Sequence, residues 1–173
     1  MNIKPTLLAL AIVLASSPAA VAQTAPTNAA HSQAEPAAAT TGIDVPAEAE
    51  AAVAVADAFG KALAAGDFAQ VEAMLDPDVI ILESGGAERS RSEYLGHHAK
   101  SDAKFLAGSR STLSHRTARV AEDTAWVASE SELHATRDGK PMALLSTETM
   151  VLEQGPSGWK IVHIHWSSRA KKS

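Results

Sequence analysis

The chain has 173 residues, a formal net charge of −5 and no cysteine. Without cysteine it can form neither a disulfide bond nor a thiolate nucleophile, and it lacks the thiol that a lipoprotein anchor requires. Its mild acidity, with no basic patch interleaved with aromatic residues, disfavours nucleic acid as a partner.

The N-terminus has the pattern of a secretory signal peptide. Lys4 precedes the apolar run at residues 7–15, which is too short for a permanent membrane span, and residues 20–22 supply a small-x-small cleavage site. We therefore predict that residues 1–22 are a signal peptide and that the mature protein is periplasmic and not bound to a membrane. N-terminal sequencing of the exported protein should begin at Gln23, and a different start would contradict this prediction.

The composition changes after the predicted cleavage site. Residues 23–46 are rich in Ala, Thr and Pro and show no hydrophobic periodicity. We therefore predict a disordered linker between the signal peptide and the fold. The following residues, 47–169, have the length of one ordinary domain.

Two helices are predicted to open this domain. Residues 48–65 carry apolar side chains at helical spacing, and Gly66 follows them as a typical helix cap. Asp67 is a good N-cap for a second, short helix over residues 68–75. An Asp-Pro pair then ends the helical pattern.

The rest of the domain is predicted to contain a strand, a helix and a four-strand meander. Residues 79–82 form a short apolar run that is typical of a buried strand. Ser90 begins the third helix and Glu93 completes its capping box, with the helical pattern continuing to Leu106. After Gly108 the apolar period becomes two, which predicts strands over residues 112–120, 124–134, 141–153 and 159–168.

This order of elements predicts an α+β fold. A strongly bent antiparallel sheet of this kind wraps around the N-terminal helices as a cone, because both layers must bury their apolar faces against each other. A cavity is expected between the sheet and the helices.

Two stretches of the chain resemble the nuclear transport factor 2-like superfamily, and within it the bacterial SnoaL-like proteins. Residues 64–67, Ala-Ala-Gly-Asp, resemble the opening of that fold, and residues 148–152 with residues 158–165 resemble its closing hairpin. The resemblance implies a cone with an internal pocket, often a homodimer that associates through the sheet. Its members include isomerases, polyketide cyclases and dehydratases, so the fold alone does not settle the function.

The last predicted strand carries two histidines, His163 and His165. Strict alternation would place them on one face with Trp159 and Ile161, roughly 6–7 Å apart. Both imidazoles could then reach one ligand, one metal ion or one proton-transfer path. Core or half-exposed histidines bonded to their neighbours are the alternative.

The third predicted helix offers a candidate general base. His98 and Asp102 are four residues apart on its apolar stripe, so we expect both to face inward. An aspartate that accepts a hydrogen bond from one imidazole nitrogen fixes the tautomer and leaves the other nitrogen free. The alternative is a structural hydrogen bond that satisfies two buried polar groups.

Three carboxylates and two tryptophans are further candidates for a ligand pocket. Glu83 ends the first long strand, and Glu130 and Glu148 lie on apolar strand faces, where a carboxylate is costly unless it is paired or faces a wet cavity. Trp126 and Trp159 are expected to line the core or the pocket. An edge-strand salt bridge would explain Glu130 or Glu148 equally well.

A metal site is a further hypothesis. If His98, His163 and His165 converge, they form a nitrogen-rich site that suits zinc, copper or iron. The chain has no glycine-rich phosphate loop and no G-x-S-x-G motif, so no other cofactor is expected. Tyr94, the single tyrosine, lies on the third helix, and the sequence does not place it beside acidic residues as in ketosteroid isomerases, which disfavours steroid isomerisation.

Three functions therefore remain open from the sequence. The first is an exported small-molecule-binding domain with an internal pocket. The second is a periplasmic enzyme of isomerase, dehydratase or cyclase type that uses His98 and Asp102 as its base. The third is a histidine-based metal-binding protein.

Overall fold

The structure is a computed structural model that describes residues 42–137 and 139–172. The predicted signal peptide and most of the predicted linker lie outside these residues. No helix within the described ranges is both long and apolar enough to cross a membrane.

The long first helix forms as predicted. A 3-10 turn at Ala47–Ala49 leads into α1, Glu50–Ala65, whose inward stripe is Ala52, Ala56, Phe59 and Leu63. Gly66 ends the helix with a φ of +70°, and its N–H donates to carbonyl groups of the last turn. This left-handed conformation is the reason why a glycine stands there.

The second helix, α2, spans Phe68–Met74. Asp67 caps it as predicted, since its carboxylate accepts the N–H of Gln70 at 3.1 Å. The helix ends one residue earlier than predicted, because Leu75 already adopts the extended conformation that begins the next strand.

The predicted third helix is divided into α3, Arg91–Gly96, and α4, His98–Ala107. Ser90 accepts the N–H of Glu93 at 3.1 Å, as expected of a capping residue. The break lies at His97, whose φ of −121° and ψ of −86° are not helical. The side chains after the break therefore do not continue the stripe that an unbroken helix would present.

Seven strands form one strongly curved sheet. The strands are β1 (Gly42–Asp44), β2 (Leu75–Glu83), β3 (Gly86–Glu88), β4 (Arg110–Ala121), β5 (Thr124–Arg137), β6 (Lys140–Gly155) and β7 (Gly158–Ala170). Their order across the sheet is β1-β4-β5-β6-β7-β2-β3. The helices and the curved sheet confirm the predicted α+β cone. The sheet is mixed rather than antiparallel, because β1 pairs with β4 and β2 pairs with β7 in parallel.

The first strand overlaps the predicted linker, residues 23–46, and so corrects its predicted end. Gly42, Ile43 and Asp44 pair with β4, and the carboxylate of Asp44 contacts the Arg119 guanidinium at 2.5 Å. A Cβ atom at Gly42 would lie 2.8 Å from a ring carbon of His115. A side chain at position 42 would therefore require the His115 ring to move.

A β-bulge interrupts the alternation of β7. Ile161 pairs with Leu152 of β6, whereas His163 already pairs with Val151, so the intervening Val162 has no partner of its own on that strand. Such an extra residue shifts all following side chains by one position relative to a regular strand.

The bulge places the two histidines of β7 away from the helices. Ile164 is fully buried, and the Trp166 ring stacks on Phe59 of α1, so both project from the helix-facing side, which we call the inner face. Because side chains alternate, His163 and His165 lie on the opposite, outer face. The prediction that they share a face with Ile161 is therefore wrong.

Candidate functional site

A cavity of about 580 Å³ lies between α1, α4 and the inner face of the sheet. Much of its wall is apolar, with contributions from Phe59, Leu63, Phe105 and Leu106. Its charged side chains are Asp57, Lys61, Glu83, Asp102, Arg116 and Glu148. Apolar walls with a few converging polar groups are typical of a small-molecule site.

Two carboxyl groups and a tryptophan line one end of this cavity, and a tyrosine lies behind them. Asp102 of α4 accepts a hydrogen bond of 3.0 Å from the hydroxyl of Tyr94, which is fully buried. The Tyr94 ring in turn contacts Trp166, with the ring centroids 6.2 Å apart. Glu83, at the end of β2, also lines the cavity. The hydrogen bond fixes one oxygen of Asp102 while its carboxyl group still lines the cavity.

Burial shifts the titration of both carboxyl groups. It raises the pKa of Asp102, although the Tyr94 hydrogen bond and the nearby His98 act in the opposite direction. Burial and then the negative charge of Asp102 raise the pKa of Glu83. The Tyr94 hydrogen bond thus favours the ionised form of Asp102, and a charged Asp102 favours the protonated form of Glu83.

The predicted pair of His98 and Asp102 has different partners in the structure. His98 begins α4 after the break at His97, and its Nδ1 contacts Glu88. The His98 side chain is 64% exposed, whereas that of Glu88 is 7% exposed. The group that orients Asp102 is therefore Tyr94. A pairing of the tyrosine with an acidic residue, which the sequence did not reveal, is present in the structure.

A row of five polar and aromatic side chains crosses the inner face. Its members come from β4, β5, β6, β7 and β2, and they are neighbours in register: Arg116, Ser129, Glu148, Trp166 and Glu83. The Trp166 indole N–H donates to Glu148 at 2.8 Å. Arg116 donates from Nε to the Ser129 hydroxyl at 3.1 Å and from Nη1 to Asp57 at 2.7 Å. Besides Glu83, the row therefore contains Glu148, a further carboxyl group that lines the same cavity.

Burial also raises the pKa of Glu148, with the indole hydrogen bond and Arg116 acting in the opposite direction. The folded protein thus holds this proton more tightly than the unfolded chain does. Stability is consequently lost as the pH rises from the ordinary carboxyl range through the raised pKa of Glu148.

We expect Glu148→Gln to lose less stability than the wild type between about pH 4 and about pH 8, because an amide cannot ionise. Urea denaturation at both pH values measures this difference. Glu153→Gln is the matched control, since Glu153 is exposed on the same strand and does not line the cavity. Equal pH dependence in the wild type and both variants would contradict the raised pKa of Glu148.

Four of the predicted ligand-binding residues lie on the outer face. In β5 the buried Val127 and Ser129 point inward, so alternation turns Trp126 and Glu130 outward. His163 and His165 lie on the outer face because of the bulge at Val162. Trp159 packs against the hydrophobic core at the end of the sheet and does not line the cavity. Of the predicted candidates, the cavity thus brings together Glu83, Asp102 and Glu148.

The structure does not bring His98, His163 and His165 together. His163 Nδ1 lies 2.8 Å from the Ile80 carbonyl on the outer face, whereas His98 contacts Glu88. Within residues 42–137 and 139–172, no three His, Cys, Asp or Glu side chains are grouped as a metal site requires.

The sequence did not indicate the roles of Tyr94 and Arg116. For Arg116 a signal was present, because it shares its face of β4 with Ala118 and Val120, where a lone charge is unexpected. For Tyr94 no local signal exists, since its contact with Asp102 depends on the break between α3 and α4.

The profile of the SnoaL-like domain family matches residues 52–171. A Shewanella frigidimarina structure described as a "putative ketosteroid isomerase" is 36% identical, over 68% of this chain and 94% of that chain, with a TM-score of 0.65. The S. rosetta CaMKII hub is 27% identical, over 72% of this chain and 100% of that chain, with a TM-score of 0.64.

A structure from Streptomyces avermitilis, described as a "putative dehydratase" of the NTF2-like family, has the same fold. It is 21% identical, over 70% of this chain and 96% of that chain, with a TM-score of 0.56. No curated protein matches the chain.

Proposed function

The chain belongs to the SnoaL-like domain family, and we propose that it is an enzyme that moves a proton at the carbon beside a carbonyl group of a small molecule. The proposed base is Asp102, and the proposed acid is Glu83. The names of the Shewanella and Streptomyces structures, an isomerase and a dehydratase, support this proposal because both reactions begin with such a proton transfer.

The observation that carries the proposal is a pair of carboxyl groups in one apolar-walled cavity, one of which is bonded to the Tyr94 hydroxyl. The Tyr94 hydrogen bond favours the ionised form of Asp102, and the negative charge of Asp102 favours the protonated form of Glu83. Two neighbouring carboxyl groups in opposite protonation states supply one base and one acid at the same pH.

The reaction follows from these two states. The Asp102 carboxylate removes the proton from the carbon, and the Glu83 carboxyl group donates its proton to the carbonyl oxygen, which gives an enol. The enol proton then returns to Glu83 while Asp102 returns its proton to a carbon atom. Once Asp102 has exchanged its proton with water, return to the same carbon replaces the original hydrogen by one from the solvent, and return to a conjugated carbon moves a double bond.

We expect the protein to exchange the α-hydrogens of 4-phenylcyclohexanone for deuterium faster than buffer alone. Proton NMR in deuterated water follows the loss of these signals. Both pKa values of this interacting pair are raised, so the rate should be highest between its two titration steps, and the optimum should lie above the ordinary carboxyl range of about 4. Exchange at the buffer rate across this range would contradict the proposal.

We also propose that the protein forms a homodimer through the outer face. A row of side chains crosses that face from β4 to β2, namely Arg119, Trp126, Val151, His163 and Ile80. Trp126 is 40% exposed and Ile80 is 46% exposed. Exposed apolar groups in such an arrangement favour an interface, and the S. rosetta neighbour is itself a hub.

We expect Trp126→Lys to convert the dimer to a monomer, because a lysine within the interface would be buried without a partner. Sedimentation equilibrium gives the mass of each form. Ile43→Lys is the control, since Ile43 is 57% exposed on the edge strand β1. A wild-type monomer, or a dimeric Trp126→Lys variant, would contradict the proposed interface.

A further inference from the structure

We propose that Ser129 and Glu148 form a second subsite in the same cavity, which holds an uncharged hydroxyl or carbonyl oxygen at the far end of the ligand. The inference deepens the proposed function and rests on it, because the near end of the ligand is the carbonyl group between Asp102 and Glu83. It defines the ligand as an elongated molecule with an oxygen function at each end.

Ser129 supplies a buried hydroxyl donor. The residue is 6% exposed, and its oxygen accepts the Nε–H of Arg116 at 3.1 Å. Among the described residues, no acceptor receives the hydroxyl proton of Ser129. Ser129 lines the cavity, so its hydroxyl can donate this proton to an oxygen atom of a bound ligand.

Glu148 completes the subsite from the neighbouring strand. It lies directly opposite Ser129 in register, and one of its oxygens accepts the indole N–H of Trp166. Glu148 lines the cavity, so its second oxygen is available to a ligand. A protonated Glu148 can both donate to a ligand oxygen and accept from a ligand hydroxyl.

The charges around the subsite favour an uncharged group. The guanidinium of Arg116 is already paired with Asp57 at 2.7 Å. A ligand anion would therefore lie beside Asp57 and Glu148 with Arg116 already paired, and Lys61, on α1, is the remaining cation among the described residues that line the cavity. A hydroxyl or carbonyl group meets no such repulsion.

The distance between the two ends of the proposed ligand follows from the spacing of the strands that carry Glu148 and Glu83. Glu148 lies on β6 and Glu83 on β2, with β7 between them, and two strand spacings are about 10 Å. Trp166 occupies the position between them, with its ring stacked on Phe59 at a centroid distance of 6.3 Å. The ligand that fits has an apolar, preferably flat, middle.

Three probes test this arrangement by calorimetric titration of the full-length mature protein. They are 4-phenylcyclohexanone, 4-(4-hydroxyphenyl)cyclohexanone and 4-(4-oxocyclohexyl)benzoate, which differ only at the end that faces the proposed subsite. We expect the hydroxyl compound to bind about tenfold more tightly than the unsubstituted ketone, the gain from about one additional hydrogen bond. The benzoate should bind more weakly than the hydroxyl compound.

Ser129→Ala and Glu148→Leu should each reduce the preference for the hydroxyl compound. Glu148→Leu leaves the Trp166 N–H without its acceptor, so Ser129→Ala is the milder variant if the first does not fold. Ser101→Ala is the matched control, because Ser101 is exposed on α4 and bonds to the His98 carbonyl. It should keep the full preference.

The outcomes separate the subsite from the proposed function. If the ketone is bound and its α-hydrogens exchange, but the hydroxyl group adds no affinity, the subsite is wrong and the proposed function stands. Benzoate binding as tight as that of the hydroxyl compound overturns the uncharged character of the subsite. If no ketone binds or exchanges, both proposals fail.

Discussion

Asp102→Asn should lower the rate of α-hydrogen exchange by about two to four orders of magnitude, the usual contribution of a positioned general base. The amide oxygen of the new side chain can still accept the Tyr94 hydrogen bond that Asp102 accepts in the wild type. The geometry should therefore persist while the group that takes the proton is lost. Proton NMR in deuterated water, with 4-phenylcyclohexanone, measures the rate.

Two companion variants make this result specific. Asp78→Asn should exchange at the wild-type rate, since Asp78 is exposed and lies outside the cavity. Glu83→Gln should lower the rate, because an amide cannot transfer a proton to the carbonyl oxygen, and should remove the fall at high pH, because the amide donates its hydrogen bond at any pH. An Asp102→Asn protein that is folded and still exchanges at the wild-type rate would exclude Asp102 as the base.

Phe59→Ala should lower the free energy of unfolding by about 3–5 kcal/mol, the range found for removing a buried aromatic ring. Phe59 is 1% exposed and packs between α1 and the Trp166 ring. Removal of the ring would enlarge the cavity that already exists beside it. The surrounding side chains would therefore fill little of the vacated space. Urea denaturation at one fixed pH gives the change in stability.

Phe105→Ala provides the comparison. Phe105 lines the same cavity from α4 but is 39% exposed, so its removal should destabilise the protein by clearly less. Equal losses in the two variants would show that the Phe59 ring does not anchor α1 to the sheet.

The parts of the fold that depend on neighbouring residues could be predicted from the sequence. Gly66, Asp67 and Ser90 each act within one helical turn, and all three have the predicted role. The break at His97 and the bulge at Val162 could not be predicted, because each depends on packing against elements distant in the chain. Without the bulge, the alternation assumed for the last strand would have held.

The candidate site shows the same limit. Glu83, Asp102 and Glu148 could be identified because a carboxylate within an apolar pattern needs a reason to be there. The partners of these groups could not be identified, since Tyr94 reaches Asp102 across a helix break and Trp166 bonds to Glu148 on the neighbouring strand. The sequence therefore indicated which carboxyl groups belong to the site. Their hydrogen-bond partners could be identified only from the structure.

The short strand β1 has a practical consequence for anyone who shortens this protein. It covers three residues of β4, His115 to Thr117, and the Asp44 carboxylate secures it to Arg119. A chain that started after residue 44 would leave the N–H and C=O groups of that edge without β1 and open to a strand of another molecule. Removal of Gly42, Ile43 and Asp44 would therefore uncover this edge and favour self-association.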